Sequence, residues 1–191
     1  MATYYSNVFT GLGATTASTK SGTSVTQMPS VQTSHARTRT SVAHLRIDAD
    51  EDFVQGADVA HMFLLKPTDR LVRLQYTSDD LGGTALVDVG VYTVISANGS
   101  LTFAADDVDL FATAFDVSGQ VTAWTDLMHE STTVGYNYIG KPMWEIVNLG
   151  GGGTFTAQSP NLFSISVAPK TNSSTADNVN IILMATYIAG D

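Results

Sequence analysis

The clearest signal along the chain is strict alternation of apolar and polar residues. Phe163, Ile165 and Val167 are separated by Ser164 and Ser166, and Val179, Ile181, Leu183, Ala185 and Tyr187 recur at every second position. A period of two places such residues on one face of a strand and the intervening ones on the other. Val87, Val89 and Val91 repeat the pattern opposite Asp88, Gly90 and Tyr92, within a strand predicted over 85–94. Arg70 to Tyr76 is also strand material, and further strands are expected over 41–47, 59–66, 121–128 and 143–148.

One stretch breaks the period of two. In Asp106 to Phe115, Val108, Phe111 and Phe115 recur at helical spacing, behind aspartates that would favour a helix N-terminus. The spacing predicts one short helix. Turn chemistry separates the runs at Asp79-Asp80-Leu81-Gly82-Gly83, Asn98-Gly99, Ser118-Gly119 and the glycines 150–153. About eight short strands, frequent turns and a single helix predict a mostly β, two-sheet sandwich of the jelly-roll kind, with a closed barrel as the alternative.

The pattern fades toward the N-terminus. Of the first 41 residues, 17 are Ser or Thr, and their apolar positions hold no sustained period. Such a segment buries too little apolar surface to offset the entropy of ordering it. The chain therefore divides into an extended arm over 1–40 and a β-sandwich domain over 41–191. Tyr4, Tyr5, Val8, Phe9 and Leu12 give the tip of the arm apolar anchors, which favours docking over idle solvation.

Charge sharpens that division. Residues 1–47 hold Lys20, Arg37, Arg39 and Arg46 and no acid, a charge of +4; residues 48–191 hold the other five basic residues and all 18 acidic ones, −13, summing to the net −9. An acidic body is repelled by phosphate backbones, which argues against nucleic acid as a partner. A basic arm on such a body suits an acidic protein neighbour. Cysteine is absent, which excludes disulfides, thiolate metal sites and cysteine nucleophiles. The opening Met1 to Ser6 has neither the basic nor the apolar region of a signal peptide, so synthesis in the cytoplasm is expected. No run approaches the 18 or so apolar residues of a membrane span.

Candidate chemistry is sparse. No two of His35, His44, His61 and His129 have zinc-site spacing. The acidic run Asp48 to Asp52 opens like a calcium loop, but the sixth and twelfth positions are Phe53 and Val59, not glycine and glutamate. There is no Gly-x-Ser-x-Gly elbow, and the glycines 150–153 lack the lysine of a phosphate loop. No catalytic, cofactor-binding or metal residue is assigned, and a non-enzymatic protein is expected. Trp124 and Trp144 are read as core or subunit-interface residues, with a sugar-stacking platform that includes Tyr136 as the alternative.

Three stretches are more specific. They are Tyr5-Ser6-Asn7-Val8-Phe9-Thr10-Gly11, the block from Tyr76 to Tyr92 that contains Asp80-Leu81-Gly82 and Asp88-Val89-Gly90, and Asp107 to Val117. Together they resemble the capsid decoration (cement) proteins of tailed bacteriophages. The resemblance implies a β-sandwich that assembles as a homotrimer on the outer capsid surface and bridges major capsid protein subunits, without a catalytic site or cofactor. On this reading Tyr4, Tyr5, Phe9, Arg37 and Arg39 are the capsid contacts. Another virion component (neck, tail or head-fibre base) and a carbohydrate-binding β-sandwich module are the alternatives.

Overall fold

The computed structural model describes residues 2–5, 38–48, 53–97, 100–129, 138–151, 153–159, 161–173 and 178–190. Nine strands follow one another: β1 (Ala2–Tyr5), β2 (Thr38–Ile47), β3 (Asp58–Leu65), β4 (Arg70–Ser78), β5 (Leu86–Ala97), β6 (Ser100–Asp116), β7 (Val121–Asp126), β8 (Leu162–Pro169) and β9 (Val179–Ile188). The helix α1 (Met143–Gly150) lies between β7 and β8.

Strands β2 to β9 form the expected sandwich. One sheet has the order β2-β9-β4-β7 and the other β3-β8-β5-β6, all antiparallel, with β1 added beside β3. Successive strands cross between the sheets except at the β5–β6 hairpin, which is the jelly-roll winding. The alternation seen in the sequence sets the core. Leu45, Ile47, Leu74, Tyr76, Ile181 and Leu183 of one sheet meet Met62, Val89, Val91, Phe163, Ile165 and Val167 of the other, and all are buried. β2 begins at Thr38, within the range read as arm, and pairs with β9 along its full length.

Two expectations fail, for physical reasons. Residues 106–115 are not a helix; they belong to the 17-residue strand β6. Register between β5 and β6 shifts three times: Val89 pairs with Ala112, but Val91 pairs with Asp107. Two steps along β5 thus face five along β6. The surplus residues buckle outward, and the resulting spacing of Val108 and Phe111 imitates a helix. Thr93 holds Asp106 through its hydroxyl, so that aspartate secures the hairpin rather than a helix end.

Residues 143–148, read as a strand, form α1 instead. Met143, Ile146 and Val147 are its buried residues, at the i, i+3, i+4 spacing of a helix face. The helix starts behind Pro142, where the Met143 N–H donates to the Asp69 carbonyl at 2.9 Å. It stops at Gly151, whose φ of 91° is the left-handed cap that glycine adopts at little cost. Asn148 then clasps the following chain, accepting from Phe155 N at 2.7 Å and donating to its carbonyl at 2.9 Å.

Many of the aspartates that make the body acidic hold turns. Asp69 accepts from Lys66 N and Gly190 N, Asp79 from the backbone and side chain of Asn180, Asp80 from Gly82 N, and Asp126 from Met128 N. Asp88 is buried, accepts from Ala114 N at 2.8 Å and pairs with Lys170 at 3.1 Å, tying β5 to the bulged end of β6.

Candidate interaction surface

The outer face of the β2-β9-β4-β7 sheet follows from the same alternation. With Ala43, Leu45, Ile181 and Leu183 turned inward, the alternate register pairs, among them Val42 with Met184 and His44 with Ile182, form the outward rows. Gln75 and Thr77 of β4 continue those rows on the far side of β9. Trp124 completes the face on β7, two residues from Asp126, which is the partner of Gln75. Val42 is 48% exposed and Trp124 44%, so two large apolar side chains stand at opposite edges of a sheet face whose centre is Ile182 and Met184.

Near Ile182 the face dips into an open hollow of about 450 Å³, lined in part by His44, Thr77, Asp79, Thr122 and Asn180. A chain of hydrogen bonds crosses it: His44 Nε2 lies 2.7 Å from Asn180 Oδ1, and Asn180 Nδ2 donates to Asp79 Oδ2 at 2.6 Å. Asn180 is thus fixed at both ends. This arrangement offers polar groups for contact.

Sequence reasoning missed a second cluster, on the outer side of the other sheet. His61 Nδ1 lies 2.7 Å from Ser166 Oγ and 3.1 Å from Ser164 Oγ, and the two serine hydroxyls are 3.0 Å apart. Phe103 stacks on the imidazole with centroids 3.8 Å apart, and Tyr92 meets it edge-on at 5.2 Å. A histidine beside serines invites a hydrolytic reading. However, His61, Ser164 and Ser166 are each no more than 1% exposed, so no substrate reaches them. The cluster satisfies buried polar groups under an aromatic lid. The only advance signal was the serine alternation, which reads as a solvated face.

Burial pushes the His61 imidazole down to about 3, so it is neutral in the folded protein throughout the physiological range. The sign of the consequence is fixed. The unfolded chain binds a proton at this residue below its ordinary value near 6.5 and the folded chain does not, so its contribution to stability falls as pH drops from about 6.5 toward 3. Asp107 acts in the opposite direction. Desolvation, reinforced by Asp109, raises its carboxyl to about 6, so the folded state holds the extra proton between about 4 and 6 and gains stability as pH falls there. Replacing His61 with Gln, which keeps a hydrogen-bonding group, should remove up to one proton from the pH dependence of unfolding below pH 6.5. Urea melts of both proteins at pH 7, 6 and 5 measure this, and identical slopes would refute the assignment.

The structure brings few of the sequence-selected residues together. His44 and His61 lie on different sheets and do not converge. Trp144 packs on the core from α1, away from Trp124 on β7, and Tyr136 lies outside the described residues. Of the proposed contact residues, Tyr4 and Tyr5 lie in β1, Arg39 in β2 opposite Tyr187, and Phe9 and Arg37 outside the described residues.

No protein-family model and no curated protein sequence matches the chain. Two solved structures contain chains that align with this one. A chain in the capsid asymmetric unit of cyanophage Pam1 is 15% identical over 80% of this chain and 84% of that one, with a TM-score of 0.47. A chain in the capsid of Ralstonia phage GP4 is 14% identical, with a TM-score of 0.51, and the alignment spans 100% of this chain and 99% of that one. At this identity the GP4 chain is similar to the present one in fold rather than in sequence.

Proposed function

We propose that the protein is a structural component of a bacteriophage virion that binds the outside of the capsid and bridges major capsid protein subunits. The supporting observation is the similarity in fold to a chain of the GP4 capsid, in an alignment that spans 100% of this chain and 99% of that one. It joins the decoration-protein motifs at the arm tip, at Asp80-Leu81-Gly82 and at Asp88-Val89-Gly90.

In this reading the body self-associates, as a trimer, through the outer face carrying Val42, Met184 and Trp124. The arm and the start of β2 then lie over neighbouring capsid subunits, with Tyr4, Tyr5, Phe9, Arg37 and Arg39 as contacts, the two arginines suiting acidic groups there. Each contact is weak, but three arms on one assembly engage together, and avidity raises the overall affinity by orders of magnitude. Nothing in this role requires a reaction, so the protein is read as non-enzymatic.

The test is co-sedimentation of purified protein with heads that lack it. Saturable binding at a fixed ratio to major capsid protein is expected. Protein that stays in the supernatant at every ratio would refute the reading.

A further inference from the structure

β1 is the one parallel pairing among the described strands: Ala2 to Tyr5 lie beside Asp58 to His61 in register. Its site is the outer edge of β3, which otherwise ends the β3-β8-β5-β6 sheet. Without a partner, that edge presents a row of free backbone donors and acceptors, which proteins ordinarily cover.

The connection from β1 to the body is far longer than the fold needs. β3 and β2 are the edge strands on the same side of the sandwich and touch each other across it. A compact body of about 150 residues is roughly 40 Å across, a distance that about 12 extended residues cover. The chain places 32 residues, 6–37, between Tyr5 and Thr38. Fully extended, they reach about 110 Å, more than two body widths.

We infer that β1 is an exchangeable strand, donated in the assembled protein to the β3 edge of a second copy of this chain. Every copy carries the same strand and the same edge, so exchange breaks and remakes identical hydrogen bonds and costs little. What it adds is a tie between bodies, made through main-chain groups of residues 2–5. A four-residue strand is short enough to leave its own edge, and the surplus tether lets it reach the next. The inference uses the self-association proposed above and does not depend on capsid binding.

The cysteine-free sequence makes the test direct. Thr3 and Val59 are register partners. Thr3→Cys and Val59→Cys single variants are mixed, unfolded and refolded together, oxidised, and separated without reductant; the double variant is treated alone. Exchange predicts covalent dimers that contain one of each single variant, and cross-linked oligomers from the double variant. A disulfide formed only within each double-variant chain, with no mixed dimer, would overturn the inference, as would no disulfide in either experiment. Co-sedimentation with heads is scored separately, so loss of exchange and loss of capsid binding are distinguished.

Discussion

Replacing Gly90 with Ala is expected to destabilise the protein by about 3 kcal/mol or more, or to prevent folding altogether. Gly90 sits in β5 between Val89 and Val91, opposite the buckle in β6, and the β6 main chain at Asp107 and Val108 passes directly over it. A methyl group at Gly90 would fall far inside contact distance of the carbonyl oxygens of both residues. Backbone cannot rotate away as a side chain can. β6 would have to lift, taking with it the Thr93–Asp106 hydrogen bond and the seat of Leu110 and Phe111 in the core. For a body of this size the melting temperature should fall by roughly 6–12 °C. Gly119→Ala is the control, because no atom lies within 4 Å of the position its added carbon would take. A Gly90→Ala variant that melts with the control would contradict the buckled register of the hairpin.

Deleting residues 2–36 should leave a folded body and abolish binding to capsids. The deletion removes β1 and the tip anchors Tyr4, Tyr5 and Phe9, but keeps β2 to β9 and every residue of the described core. Circular dichroism should retain its β signal, and co-sedimentation with heads should fall at least tenfold. The basic arm also predicts a salt effect. Arg37→Glu with Arg39→Glu should weaken binding most at low ionic strength, because exposed charges are screened beyond about 10 Å at 0.1 M salt. Full binding by the deletion variant would show that the body alone makes the contact and would remove the arm from the mechanism.

The sandwich was legible where apolar and polar residues alternate strictly along a strand. Alternation located the strand at 163–167 and the run at 179–187 because Ile165 and Ile181 face the core while their neighbours do not. It failed where the register is irregular or where a helix is built from residues common in strands. In β6 the bulges converted a strand into a helical-looking repeat. In α1, six residues rich in Trp, Ile and Val looked like a strand, although Pro142 before them and Gly151 after them carried the start and stop of a helix. Of the candidate surface, Trp124 was singled out in advance. Ile182 and Met184 were readable as apolar residues on the polar phase of β9, but their meaning needed the register with Val42. The β1–β3 pairing was not legible. Four residues carry too little pattern, and their partner lies 56 positions along the chain.

The central claim is adhesion to the outside of a capsid, and electron cryo-microscopy of intact particles tests it most directly. The account predicts this jelly roll in many copies on the outer shell, with density for the N-terminal arm crossing from its body onto neighbouring capsid subunits. Finding the chain confined to the neck or tail, inside the shell, or missing from the particle would contradict it.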